Sequence, residues 1–337
     1  YSGKISAGRI KQMLEENVAA AKKQSAPPVK KRASYNGVSR GREAFHFFLA
    51  AIPVIGFMIF GLVPLVLSLA LSFTDVKMSI LEDFTFVGVK NFITLAKNVY
   101  FKKSIVNTLY YTLNVPLSIA LGLFIAYLVN KAMKGKYFFR SVFFIPYVCS
   151  TVSVAVAWKI MYDKEYGIFN TLLSSFGVAQ IGWISTPQTF MVSTIIMSVW
   201  SGTGFCVILY QAALANVNTA YYESAEIDGA SNARVFFSIS LPAVSPTTFY
   251  LLTMKLIGSL QVMAEPDILS GGNSTTGGLN WADMTVVKFL YKTFGGSWNS
   301  IGFGVGSAAA LVLTVFIALV TWINFRLGKK WVNYDMA

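Results

Sequence analysis

The 337-residue sequence is short of the residues on which soluble enzymes rely. His46 is its one histidine, which excludes His-based metal sites and argues against His-based catalysis. Its two cysteines, Cys149 and Cys206, both sit in apolar runs and form neither a disulfide framework nor a metal-ligand spacing. Charged residues make up only 13% of the chain, against about 25% in an ordinary soluble domain. No G-x-x-x-x-G-K-[ST] stretch is present, so the usual phosphate loop for ATP is missing. Gly302-Phe303-Gly304-Val305-Gly306 has the wrong spacing for a dinucleotide fingerprint and follows no strand; it reads as a small-residue helix-packing stripe. The polar first 40 residues lack the apolar core of a signal peptide.

What the chain has is apolar length. It is 55% hydrophobic, with a mean hydropathy of +0.56. A bilayer core about 30 Å thick needs roughly 20 apolar residues per helix. Six runs meet or approach this: 47–73, 105–129, 141–158, 189–215, 243–264 and 301–325. Lys255 is the only charge inside any of them. Residues 166–182 are too short and too interrupted by glycine and serine to be a seventh, and read as an interfacial segment. The expected fold is an all-α membrane protein of six transmembrane helices, spanning 47–326, with a basic tail at 1–46 and a short end at 327–337. Residues 5–22 have amphipathic spacing, followed by a Pro27-Pro28 linker.

The net charge of +13 is distributed as topology. The tail, the second and fourth loops and the C-terminal end hold 18 Lys/Arg against 9 in the other loops. The positive-inside rule therefore places both termini in the cytoplasm of a cell-membrane protein. The basic tail suits a lipid surface better than nucleic acid.

The fourth loop, 216–242, carries the strongest pattern. It runs Glu223-Ser224-Ala225, three residues, Gly229, nine residues, then Ile239-Ser240-Leu241-Pro242. This predicts a helix over 221–228, a left-handed turn at Gly229, a second helix capped by Ser231, and a stop at Pro242. The pattern resembles the EAA motif of bacterial ABC importer permeases, with Ser224 in place of the first alanine. Further segments are similar to the carbohydrate-type (MalF-like) members: Pro53-Val54-Ile55-Gly56, Leu71-Ser72-Phe73-Thr74-Asp75, Phe86-Val87-Gly88-Val89-Lys90-Asn91-Phe92, Asn107-Thr108 and Phe325-Arg326-Leu327. The outer loops are short, without the large insertion of the maltose permease, which speaks against carrying maltose over as solute.

The resemblance implies an ABC type I importer permease fold with a cytoplasmic coupling helix pair. It implies that Glu223, Ala225 and Gly229 contact an ATP-binding subunit, flanked by Asp228 and Arg234. It implies a solute path lined from three spans: Tyr147 and Thr151 in the third; Ser198, Gly202 and Phe205 in the fourth; Gly258 and Gln261 in the fifth. Lys255 joins this set on physical grounds, since a lysine at a helix centre costs about 2.5–3.5 kcal/mol to insert and must face water, a carboxylate or carbonyls. Glu265 lies ten residues on, too far along one continuous helix to pair with it.

The expected partners are a second six-span permease, two ATP-binding subunits and an extracytoplasmic solute-binding protein that delivers a carbohydrate. The chain itself is expected to be no enzyme and to hold no cofactor or metal, with ATP and Mg bound on the partner ATPase. The glycines at 271–272 and 277–278 suit a loop facing the binding protein. Two alternatives remain at this point. One is an ABC permease for another solute, such as a polyol, glycerol-phosphate or an acidic glycan. The other is an ion-coupled secondary transporter, which would want intramembrane carboxylates that these runs lack.

Overall fold

The computed structural model describes residues 40–77, 85–130, 135–272, 279–295 and 302–333. The amphipathic stretch at 5–22, nearly all of the basic tail and the glycines at 277–278 lie outside them. The chain divides into two units, Tyr1–Pro64 and Leu65–Ala337.

The first unit is the helix Arg40–Phe57 followed by a π-helical turn at Met58–Leu62. From residue 45 on it carries no charge, so no side of the helix is a solvent face. The helix continues as Val63–Leu71, and Phe45–Leu71 is long and apolar enough to cross a bilayer.

Three spans of the second unit are unbroken: Val99–Asn130, Pro187–Ala215 and Phe303–Trp331. The third and fifth spans differ from the straight runs expected at 141–158 and 243–264. The third consists of Phe138–Val148 and Thr151–Met161, which meet at 95°. Pro146 removes one N–H from the helical ladder, and Cys149 and Ser150 then take extended conformations that end it. The fifth begins earlier, at Asn232, and ends earlier, at Leu260. Its two parts, Asn232–Ala243 and Ser245–Leu260, meet at 64°. Pro242 does not stop the chain; it sits at the start of a helical turn, and the bend falls at Val244, just before the Ser245-Pro246 pair. Residues 166–182 contain a short helix, Ile168–Ser175.

The second, fourth and fifth spans share a core. Val115, Ile119, Leu123 and Ala126 recur every three or four residues, one helical face. They pack on Cys206, Tyr210 and Leu214 of the fourth span and on Val244 and Leu251 of the fifth. A second cluster joins Val154 and Trp158 of the third span to Phe190 and Met197 of the fourth and to Leu269. Since lipid is as apolar as these side chains, close approach rather than water exclusion holds such spans together. Gly204 illustrates it: a Cβ there would come within 2.1 Å of the Phe143 carbonyl oxygen, so only glycine lets the third and fourth spans cross so closely.

The loop motifs act as staples. The buried Asn91 amide donates to the carbonyls of Ser72 (2.9 Å) and Thr74 (2.7 Å), closing the first loop on itself. Asn107 donates to the carbonyls of Trp281 (3.0 Å) and Met284 (2.9 Å), and Thr108 accepts from the Val286 N–H at 3.0 Å. These bonds fix segment 279–288 against the second span. Backbone groups there have no water to turn to, so each staple satisfies a carbonyl that would otherwise be costly.

Candidate functional site

Two adjoining cavities open between the second, third, fourth and fifth spans. The larger, about 760 Å³, is lined by Tyr147, Thr151, Phe205, Lys255, Gly258 and Gln261, with Tyr111, Asn114 and Glu265. The smaller, about 200 Å³, shares Tyr147, Thr151, Lys255 and Glu265 and adds Ser198 and Gly202. All eight residues named from the sequence for a solute path thus line one or both cavities.

The local structure explains their placement. The 95° bend of the third span ends one helix at Val148 and starts another at Thr151, so Tyr147 and Thr151 stand on either side of the corner. Tyr147 stacks on Phe205 of the fourth span, ring centroids 4.8 Å apart and 18° from parallel. Such a pair presents a flat apolar surface with a phenol at one edge, suited to the apolar face and hydroxyls of a sugar ring. Gly258 has open space where a side chain would stand.

Lys255 projects from the fifth span towards the fourth. Its Nζ donates to the Gly202 carbonyl at a long 3.5 Å. A Cβ on Gly202 would lie 2.6 Å from that Nζ, so the glycine makes room for the ammonium group. Among the described residues no carboxylate forms an ion pair with Lys255.

Glu265 was not expected here. The helix that would have carried it away ends at Leu260; Gln261 and Met263 leave helical geometry, and a new helix, Ala264–Ser270, follows. Glu265 therefore returns to the wall of both cavities. Burial pushes its carboxyl above the ordinary carboxylate range. Tyr111, on the wall of the larger cavity, donates its one hydroxyl proton to Ser198 Oγ at 2.8 Å. Tyr111, Asn114 and Glu265 are among the lining residues that sequence reasoning missed, with Tyr250, Ser259 and Ser201. The one local signal was Pro266, which favours the first turn of a new helix and so a break before it.

The coupling loop folds as a helix, Thr219–Ile227, a turn, and a second helix, Asn232–Val235. Asn218 caps the first by accepting from the Ala220 N–H at 3.0 Å, and Ser231 caps the second by accepting from the Arg234 N–H at 3.4 Å. Gly229 adopts φ +67°, and the Ala230 N–H donates back to the Ala225 carbonyl at 2.9 Å. This is a left-handed helix end that L side chains adopt only with strain. Tyr222 and Ser240 hydroxyls pair at 3.2 Å, and the Tyr127 hydroxyl donates to the Asn232 carbonyl at 3.2 Å, fixing the loop to the second and fifth spans.

Exposure divides the motif. Glu223, Asp228, Gly229 and Arg234 are exposed. Ala225 is not: at 9% exposure it faces its own chain, so it packs the helix inward rather than meeting a partner. Ile227, at 87%, is the apolar residue that stands out instead. A linear motif does not say which side of a helix faces out, and 225 and 227 fall on opposite sides.

Comparison with known proteins agrees with this architecture. The model of the family described as binding-protein-dependent transport system inner membrane component matches residues 118–333, which include the coupling loop and most of the cavity walls. The probable ABC transporter permease protein YesP of Bacillus subtilis (strain 168) is 32% identical over 286 residues, covering 84% of this chain and 89% of the relative. The arabinooligosaccharides transport system permease protein AraP of the same organism is 28% identical, covering 90% and 94%. The trehalose/maltose transport system permease protein MalF of Thermococcus litoralis is 31% identical, covering 72% and 80%. The fold matches a chain in the crystal structure of a bacterial ABC transporter involved in the import of the acidic polysaccharide alginate, with a TM-score of 0.74, 23% identity, and 87% of this chain and 98% of that one covered. The chain belongs to the inner membrane components of binding-protein-dependent transport systems and is a multi-pass ABC permease.

Proposed function

We propose that this chain is the permease subunit of an ATP-driven importer that takes up a carbohydrate delivered by an extracytoplasmic solute-binding protein. Relatives named for arabinooligosaccharides and for trehalose/maltose support the carbohydrate class, as do the stacked Tyr147–Phe205 pair and the amides and hydroxyls around it. A second permease completes the path across the unpartnered side of the cavities. Two ATP-binding subunits dock on the coupling loops, one per permease, and bind ATP and Mg themselves. The chain catalyses no reaction of its own. Both termini and the coupling loop face the cytoplasm.

One observation carries the mechanism. The helix that follows Gly229 is the same bent element, Asn232–Ala243 and Ser245–Leu260, that places Lys255 and Gly258 on the cavity wall. A push on the loop therefore reaches the cavity through one span. Closure of the ATPases moves the exposed edge of Glu223, Ile227, Asp228 and Arg234, and the spans rock as rigid bodies between two states open to opposite sides.

The test is co-purification from native membranes in mild detergent, with mass spectrometry of the associated proteins. A phosphate-loop ATPase and a second six-span chain are expected, and Glu223→Lys should release the ATPase while leaving this chain in the membrane. This chain alone, purified and still active in solute uptake, would overturn the proposal in favour of an ion-coupled transporter.

A further inference from the structure

Neutral sugars need hydroxyls, amides and aromatic faces around them. The cavities supply these and one thing more, a full positive charge. Lys255 lines both cavities, and among the described residues its one acceptor is the Gly202 carbonyl at 3.5 Å. An ammonium group has three donors, so one long bond leaves it able to donate to a group in the cavity. The wall has room for it where it lies: a Cβ at Gly202 would stand 2.6 Å from the Nζ, and the flexible end of the lysine would have to shift.

The other charged group of the wall does not answer it. Glu265 lines the same two cavities, yet among the described residues it makes no ion pair with Lys255. Lys255 thus stands as a cation open to the cavity, ringed by the neutral donors and acceptors of Thr151, Ser198 and Gln261. A charge drawn part-way into the protein is kept where something pairs with it, and this half-buried one faces the space where solute passes.

We propose that the solute carries an anionic group, and that Lys255 selects for it: the importer takes an acidic oligosaccharide, one bearing a carboxylate or phosphate, in preference to a neutral one. This deepens the carbohydrate reading above and rests on it. The stacked Tyr147–Phe205 pair would hold a sugar ring while the ammonium group pairs with its acid, in the manner of a charge-assisted hydrogen bond rather than a covalent step.

The test uses the complete importer, with its second permease, ATPases and binding protein, in proteoliposomes. The vesicles are offered a mixed pool of uronate-bearing, phosphate-bearing and neutral oligosaccharides of similar length, and their contents are read by mass spectrometry after ATP is added. Wild type is expected to concentrate acidic members at least about ten-fold over neutral ones, the discrimination expected of one charged hydrogen bond; which acid accumulates tells carboxylate from phosphate. Lys255→Met should erase that preference, and Lys255→Arg should keep it, with co-purification of the partner subunits confirming assembly of each. Preferential uptake of neutral members by wild type, or an unchanged acidic preference in Lys255→Met, overturns the assignment while leaving carbohydrate import standing. Uptake of no member of the pool by the wild-type importer would overturn the carbohydrate reading itself and this assignment with it.

Discussion

Two lysines are drawn into the protein, and they are treated in opposite ways. Lys288, in the helix Val286–Phe294, is 1% exposed. Its Nζ pairs with Asp283 and with Asp267 at 2.7 Å, and donates to Ser270 Oγ at 3.3 Å. Its neighbours account for it fully: it locks segment 279–288 to the helix Ala264–Ser270 at the end of the fifth span. Lys255 has one long bond to a carbonyl and a cavity in front of it. Burial alone does not mark a functional charge; a half-buried charge that faces a cavity, with no carboxylate paired to it among the described residues, does. The same chemical group is a bolt at one site and a contact at the other.

The largest effect expected from this contrast is on Lys288. Lys288→Met leaves two carboxylates without their cation, one of them the fully buried Asp283. Losing one member of a buried ion pair costs about 3–5 kcal/mol. Thermal unfolding of the purified complex should show it, and adding Asp283→Leu should recover part of the loss. Lys255→Met should do the reverse: the complex assembles and melts as wild type or better, while solute uptake falls about ten-fold or more. Equal destabilisation by both replacements would erase the distinction.

Smaller effects sharpen it. Asn107→Ala strips two donors from the carbonyls of Trp281 and Met284. It should cost about 1–3 kcal/mol, the usual penalty for buried polar groups left unpaired, read by unfolding or by hydrogen exchange at 281–286. Tyr147→Leu removes the ring stacked on Phe205. With about 0.5–1.5 kcal/mol at stake, the apparent KM for uptake should rise several-fold with assembly unchanged.

Much of this was legible in the sequence, for a physical reason. Span count follows from apolar length, and the helix–turn–helix of the coupling loop follows from Gly229 and the capping Ser231. Sequence reasoning missed the cap at Asn218, which starts the first helix at Thr219 rather than 221. The polar residues in the loop motifs are legible too once their bonds are seen: Asn91, Asn107 and Thr108 all close backbone groups that lipid cannot satisfy. What the sequence hides is direction. Glu265 reaches the cavity only because the chain leaves the helix at Gln261, and Ala225 turns inward while Ile227 turns out. Lys288 counts as a loop lysine when charges are tallied along the chain, yet it is buried and paired with Asp283 nearby in that loop and with Asp267 of the helix Ala264–Ser270. Each of these depends on a bend or a helix face, and a run of letters fixes neither.

The central claim is that one cavity is opened to each side of the membrane in turn by ATP at the coupling loop. The most direct test places a single cysteine at Gly258, where the wall has open space, in a complex whose Cys149 and Cys206 are replaced by serine. Labelling with a membrane-impermeant thiol reagent is then compared from each side, without nucleotide and with the ATPases trapped in their closed state by vanadate. The account predicts that the reactive side switches between the two states, and that Glu223→Lys abolishes the switch. Labelling from the same side in both states, with the ATPases shown to be trapped, would contradict it.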